Sequence, residues 1–170
     1  MVSPGMRRYR HRSEAQASLI GPRGDVPIDP AALFGRHAPL RLEFGFGHGE
    51  FISQMAEIHP DEDFIGVDID PLRATKTAHH CNKRGVTNVR LFTGVAERFV
   101  QRLPDAAFHR VYILFPDPWP KAGHRRRRLM DRTFLAEVAR VMAPGGRLVI
   151  ASDTHNYALQ ALSNLSTLPG

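Results

Sequence analysis

The chain has 170 residues, of which 42% are hydrophobic and 24% charged, and its formal net charge is +6 at pH 7. This composition is that of a single soluble globular domain with a substantial core, and the positive excess favours a polyanionic partner such as a nucleic acid. Cys81 is the only cysteine, which excludes an internal disulfide. Since no apolar stretch is long enough to cross a bilayer, we expect a cytoplasmic protein without membrane association.

The first 38 residues are rich in Arg, Pro and Gly and show no clear periodicity. They predict a flexible basic arm over residues 1–38, followed by one folded domain over residues 39–170. From Leu40 onward, strand-like and helix-like patterns alternate. The predicted strands are Leu40–Gly45, Asp63–Asp68, Asn88–Thr93, Phe108–Phe115 and Gly146–Ser152. The predicted helices span residues 49–59, 71–84, 95–103, 131–142 and 155–166.

Short connections between alternating strands and helices predict a parallel sheet covered by helices on both faces. Pro71 suits the first turn of the second helix, and Pro144-Gly145-Gly146 predicts a stop and turn after the fourth. The fold class is therefore α/β, a Rossmann-like, doubly wound and mostly parallel sheet.

A glycine-rich turn, Gly45-Phe46-Gly47-His48-Gly49, lies between the first strand and the first helix. Ligands of open α/β sheets bind beyond the carboxyl ends of the strands, where glycines allow close approach. Asp68 ends the second strand, and its carboxylate is suited to accept both hydroxyls of a ribose. Together, these features predict a nucleoside-containing cofactor.

Two classes of cofactor compete for this turn. Dinucleotide sites usually have the spacing G-x-G-x-x-G, whereas the glycines here are spaced G-x-G-x-G. Glu43, two residues before Gly45, is poorly placed beside a pyrophosphate but suits the amino group of S-adenosylmethionine. The alternative in which the glycines only make a tight turn is weakened by Asp68.

A second motif follows the fourth strand. Asp117 stands between Pro116 and Pro118, and a basic segment follows it. Proline restricts both its own backbone and that of the residue before it, so the loop is expected to be stiff. Such a loop holds an acid in a defined position beside cations. The cations are Lys121, Arg125, Arg126, Arg127 and Arg128.

Together, Leu42–Gly49 and Phe115–Lys121 resemble the bacterial tRNA (guanine-N7)-methyltransferases, a family of class I, S-adenosylmethionine-dependent enzymes. The resemblance extends over residues 30–160 and is most specific in the Pro-Asp-Pro-Trp loop. It implies methylation of N7 of a guanosine in the tRNA variable loop, with tRNA as partner. The oligomeric state stays open between monomer and homodimer.

The resemblance also implies roles for individual residues. Glu43 and Asp68 bind the methionine amino group and the ribose of the cofactor, beside Gly45 and Gly47. Asp117 is the active-site acid, close to both cofactor and base. Lys121 and Asp153 contact RNA, and the arginine run grips phosphates.

The chain departs from this family at two places. The family usually carries an acid facing the adenine at the position of Val95, so adenine recognition is expected to rest on backbone and apolar contacts. The family also continues, after the position of Tyr157, through a last pair of strands that this sequence, ending at Gly170, lacks. We therefore expect a C-terminally incomplete sheet with the fifth strand at an exposed edge.

Three functions remain as hypotheses, led by tRNA guanine-N7 methylation. N7 has a free lone pair, so Asp117 is expected to orient the base and stabilise its developing charge rather than act as a strong base. The second is a catalytically defective RNA-binding remnant, and the third a dinucleotide-dependent enzyme, which the glycine spacing disfavours. A metal site at His79-His80-Cys81 and a triad at Ser152 lack suitably placed partners.

Overall fold

A computed structural model of the protein describes residues 26–116 and 130–168. The strands within these residues are β1 (Leu40–Phe44), β2 (Asp63–Asp68), β3 (Val89–Thr93), β4 (Phe108–Leu114) and β5 (Met142–Ala151). Its helices in these residues are α1 (Pro30–Phe34), α2 (Glu50–Ile58), α3 (Pro71–Lys83), α4 (Ala96–Val100), α5 (Arg132–Val141) and α6 (His155–Ser166). The predicted strand–helix alternation is confirmed.

The strands form one sheet in the order β3-β2-β1-β4-β5, and every neighbouring pair is parallel. Because side chains alternate along a strand, the sheet supports two apolar layers. One layer joins the strands to α4, α5 and α6, and the other joins them to α2 and α3. The result is a doubly wound Rossmann-like α/β domain, as predicted.

The N-terminal border of the packed chain differs from the predicted one. Residues 30–34 form α1, which is capped by the Asp29 side chain, and Ile28 is buried in the core. The Ile28 amide donates to the carbonyl of Arg102 at 2.8 Å, and Arg36 pairs with Asp63 at 2.7 Å. Packing therefore begins by Ile28, ahead of the border predicted at residue 39. The remainder of the predicted arm, residues 1–25, lies outside the described residues.

The fifth strand also begins earlier than predicted. Phe108 pairs with Met142 and Arg110 with Arg147, so four residues of β5 face a single residue of β4. The Pro-Gly-Gly turn lies inside this irregularity, and Gly145 has a left-handed φ of 75°. A side chain on Gly146 would meet the carbonyl oxygen of Ala143 at 2.8 Å. The helix thus stops at Val141, close to the predicted end, but the Pro-Gly-Gly segment forms an irregularity inside β5 rather than a turn before it.

Two further observations concern the surface. β5 lies at one edge of the sheet, and its Val149 side chain is 38% exposed, whereas β1 and β2 are buried throughout. Among the residues that the structure describes, none of the helices has the length and apolar character needed to span a membrane.

Candidate functional site

The carboxyl ends of β1 and β4 form the topological switch point of the sheet. β1 lies between β2 and β4, and Phe44 pairs with Ile113 near the ends of the two strands. After β1 the chain enters α2, which packs on one face of the sheet. After β4, the next described helix is α5, which packs on the other face. Such a switch point is where open parallel sheets bind their ligands.

Three left-handed glycines form the turn after β1. The φ angles are 75° at Gly45, 54° at Gly47 and 74° at Gly49, a region that other residues rarely adopt. An added Cβ at Gly45 or Gly47 would meet no atom within 4 Å, so these positions face open space. At Gly49 it would instead collide with the Thr77 side chain. The first two glycines thus leave room for a ligand, and the third packs α2 against α3.

Asp68 fixes this turn from the neighbouring strand. One carboxylate oxygen accepts the Gly47 amide at 2.9 Å, and the other accepts the Asp70 amide at 2.9 Å. The Arg73 guanidinium lies 3.9 Å away, and Asp68 itself is 5% exposed. Since a carboxylate has about four lone-pair sites, two remain. The sequence predicted Asp68 as a ribose acceptor and did not predict that its carboxylate also holds the glycine turn.

Glu43 is a buried acid without a counter-charge among the described residues. It is 4% exposed, and its Oε2 atom has no hydrogen-bond partner. Burial, and then the negative charge of Asp68, raise its pKa from 4.5 to about 8. Burying an unpaired acid is unfavourable unless a ligand supplies the missing partner. The position therefore suits a cationic group.

Exposed apolar side chains lie near the carboxyl ends of β2 and β3. Ile69 and Leu72, which follow Asp68, are 70% and 71% exposed, and Val95 is 44% exposed. The Gly94 amide donates to the Asp68 carbonyl at 3.0 Å, which places Val95 beside the end of β2. Ile69 and Leu72 were not among the predicted site residues. The sequence offered one sign of them, since both are apolar residues at the connection between a strand and a helix.

Phe115, the residue directly after β4, has an unusual conformation. Its φ is 49°, its side chain is 67% exposed, and its amide donates to the Ala151 carbonyl at 2.8 Å. A bulky residue before a proline is disfavoured in this left-handed region, and such strain is concentrated at functional sites. The sequence placed Phe115 inside a strand and gave no sign of this turn. Asp117, Lys121, Arg125, Arg126, Arg127 and Arg128 lie outside the described residues.

Asp153 lies near the carboxyl ends of β4 and β5, two residues after β5. It is exposed, and its Oδ1 atom accepts from the Thr154 hydroxyl at 3.2 Å. Leu114 pairs with Ala151, so the ends of β4 and β5 are adjacent. Six described residues of the predicted site thus lie at or near the carboxyl ends of the parallel strands: Glu43, Gly45, Gly47, Asp68, Val95 and Asp153.

Comparison with known proteins identifies the family. Residues 37–170 match a family model described as "Putative methyltransferase". The tRNA (guanine-N(7)-)-methyltransferase of Marinobacter nauticus is 36% identical over 170 residues, 99% of this chain and 71% of that protein. The chain belongs to the tRNA (guanine-N7)-methyltransferase family. The enzyme of the same name from Methylococcus capsulatus is 42% identical over 140 residues, 82% of this chain, and the match spans 61% of that relative's length.

Solved structures agree on the fold. A precorrin-6y C5,15-methyltransferase from Geobacter metallireducens matches with a TM-score of 0.61 at 17% identity, covering 81% of this chain and 67% of that one. The antibiotic-resistance methyltransferase Kmr matches with a TM-score of 0.55 at 21% identity, covering 82% and 76%. The domain has the class I methyltransferase fold.

Family and fold indicate S-adenosylmethionine as the methyl donor. The described residues fit this molecule in two ways. The unpartnered Glu43 carboxyl is suited to a cationic amino group, and the open space at Gly45 and Gly47 admits a ligand close to the backbone. The residues that the structure describes contain no cluster of three or more His, Cys, Asp or Glu that could hold a metal ion.

Proposed function

We propose that this protein transfers a methyl group from S-adenosylmethionine to N7 of a guanosine in the variable loop of tRNA, in the cytoplasm. The observation that carries the proposal is the buried, unpartnered carboxyl of Glu43 at the end of the central strand. It is found in a chain whose relatives bear the name tRNA (guanine-N(7)-)-methyltransferase. A dinucleotide would place a pyrophosphate near this acid, which is electrostatically unfavourable.

The cofactor side of the site is assigned to Glu43, Asp68 and the glycine turn. Glu43 binds the methionine amino group, because an ammonium supplies the counter-charge that the buried carboxyl lacks. Asp68 accepts from the ribose hydroxyls through the lone pairs left by its bonds to Gly47 and Asp70. Gly45 and Gly47 allow the backbone to approach the ligand.

Val95 and Ile69 are assigned to the adenine. Both are exposed apolar side chains next to the carboxyl end of β2, where Asp68 would hold the ribose. A flat purine ring is suited to apolar contact from both sides, and Val95 offers no acceptor to its amino group. Recognition of the adenine therefore rests on apolar contact and on backbone groups.

The bound cofactor supplies an electrophilic methyl group on a sulfonium. Guanine N7 carries a free lone pair, so the reaction needs no prior deprotonation and depends on positioning and electrostatics. Asp117 accepts hydrogen bonds from the guanine edge, orients the base and stabilises the positive charge that appears on the ring. The base leaves its stack to reach this position.

The RNA side of the site is assigned to the segment after Asp117 and to the end of β5. Lys121 and Asp153 contact the RNA. The arginine run neutralises phosphates, which adds affinity and salt dependence but little sequence information. The run consists of Arg125, Arg126, Arg127 and Arg128.

Two measurements test the proposal. Binding of S-adenosylhomocysteine is measured by calorimetry, and transfer of labelled methyl groups is measured with unmodified tRNA whose variable-loop guanosine is either intact or replaced by adenosine. We expect binding with a dissociation constant of roughly 1 μM to 1 mM, the range typical of KM values, and transfer to the intact tRNA alone. Binding of both ligands without transfer would identify a catalytically defective RNA-binding protein instead. Tight binding of a dinucleotide would contradict the cofactor assignment.

A further inference from the structure

Helix α3 has two chemically distinct faces. Its buried side chains, Ala74, Thr77, Ala78 and Cys81, are small and pack against the sheet and α2. Its exposed side includes five basic or imidazole side chains, followed by Arg84 at the C-cap. They are Arg73, Lys76, His79, His80 and Lys83. The helix sequence itself contains no Asp or Glu, and its nearest acid is the capping residue Asp70.

Four of these residues form a line. Positions 73, 76, 80 and 83 are separated by three, four and three residues, which places them on one side of an α-helix. We call Arg73, Lys76, His80 and Lys83 the α3 basic stripe. At 1.5 Å per residue it is about 15 Å long. This length is enough to follow several phosphates of a nucleic-acid strand.

Helix stability does not explain the whole stripe. Cations near a helix C-terminus interact favourably with its dipole, which accounts for Lys83. Lys76 lies in the middle of the helix, where it gains nothing from the dipole, and cations at such spacing repel each other by about 0.2–0.5 kcal/mol per pair. In the described part of the chain, neither lysine has a salt bridge, whereas Arg73 pairs with Asp70 at 3.6 Å.

The stripe begins at the carboxyl end of β2. α3 starts at Pro71, three residues after Asp68, and Arg73 lies within reach of the Asp68 carboxylate. From there the helix leads away from the strand end, and the side chains of the stripe are exposed. A polyanion whose reacting base is held at the carboxyl ends of the strands can therefore continue along the stripe. A membrane surface is a poorer partner, because the apolar face of α3 is already buried.

We propose that the α3 basic stripe is a second RNA-binding surface, which contacts the phosphate backbone of the tRNA outside the reacting nucleotide. The inference rests on the proposed function for the identity of the RNA. It adds a contact surface on the α2–α3 side of the sheet to the RNA contacts already proposed for the segment after Asp117. Phosphate contacts of this kind raise affinity without reading sequence.

The test compares two double variants of the full chain. Lys76→Gln/Lys83→Gln removes two charges from the stripe. Arg98→Gln/Arg147→Gln removes two from exposed positions on α4 and β5, away from α3. Binding of tRNA is measured by filter retention between 0.05 and 1 M salt. S-adenosylhomocysteine binding, measured in parallel, checks that both variants are folded.

With the α3 variant, we expect the slope of log K against log salt to flatten by about 1.4, that is about 0.7 for each phosphate that is no longer neutralised. Over one decade of salt the variant is therefore expected to lose roughly 25-fold less affinity than the wild type, and its binding is weakened most at low salt. The control variant is expected to keep the wild-type slope. An α3 variant with an unchanged slope, equally weakened binding in both variants, or a wild-type chain that does not bind tRNA would each overturn the inference. If tRNA binding depends on the stripe but no methyl transfer occurs, the proposed function fails and the second surface stands.

Discussion

Replacing Glu43 with glutamine is expected to stabilise the free protein while abolishing tight cofactor binding. The Glu43 carboxyl is buried without a partner for Oε2, and its pKa is raised to about 8. Between pH 4.5 and about 8, Glu43 is therefore protonated in the folded protein but ionised in the unfolded chain. Because the native state binds more protons across this range, stability falls as pH rises from about 4.5 to 8.

The size of this effect follows from the pKa difference. Each pKa unit corresponds to about 1.4 kcal/mol, so the ionisation of Glu43 lowers stability by about 5 kcal/mol above pH 8 and about 3 kcal/mol at pH 7. Glutamine has nearly the same shape and cannot ionise. We therefore expect Glu43→Gln to be about 3 kcal/mol more stable than the wild type at pH 7 and nearly equal to it at pH 4.

Cofactor binding is expected to change in the opposite direction. An ammonium favours the ionised carboxylate, so binding at pH 7 releases a proton, and wild-type affinity increases as pH rises from 6 to 8. Removing one partner of a buried ion pair costs about 3–5 kcal/mol, which predicts at least a hundredfold weaker binding of S-adenosylhomocysteine by the variant.

Urea denaturation from pH 4 to 9 measures the difference in stability between Glu43→Gln and the wild type. Calorimetry in buffers of different ionisation enthalpy measures the affinity for S-adenosylhomocysteine and the proton released on binding. Glu50→Gln, at an exposed position of α2, is the matched control and should change neither quantity. A Glu43→Gln variant that is less stable than the wild type at pH 8, or that binds S-adenosylhomocysteine equally well, would refute the reasoning.

Three other substitutions test the neighbouring parts of the site. Gly49→Ala should destabilise the domain by about 1–3 kcal/mol in urea denaturation, because φ is +74° and the new Cβ collides with Thr77. Adding Thr77→Ala should restore part of that stability, and no recovery would contradict the collision. Val95→Asp should tighten S-adenosylhomocysteine binding by about 3–30-fold through one hydrogen bond to the adenine amino group, and should not tighten binding of the hypoxanthine analogue. Equal increases in affinity for the two ligands would argue against contact with the amino group. Asp117→Asn should lower single-turnover methyl transfer by about 10²–10³-fold with both ligands bound; full turnover would show that the acid does not act on the base.

Much of the site was predictable because strand ends in a parallel sheet meet at one edge. Apolar runs located the strands, and Glu43 and Asp68 stand at or near the ends of two of them. Helix caps were also readable, since Asp70 precedes Pro71 and its side chain accepts the Leu72 amide at 2.8 Å. These features depend on short-range rules for caps, alternation and glycine turns.

Burial and pairing between distant residues were decided only by the tertiary structure. The sequence identified Glu43 as an acid beside glycines, but its missing partner depends on which strands and helices enclose it. The left-handed turn at Phe115 likewise depends on hydrogen bonding to Ala151, a residue far along the chain. The sequence pattern thus determined the fold class and showed that Glu43 and Asp68 stand near the ends of strands. The environment that makes one of them a candidate cation site arises from non-local packing, because desolvation depends on everything that surrounds a group.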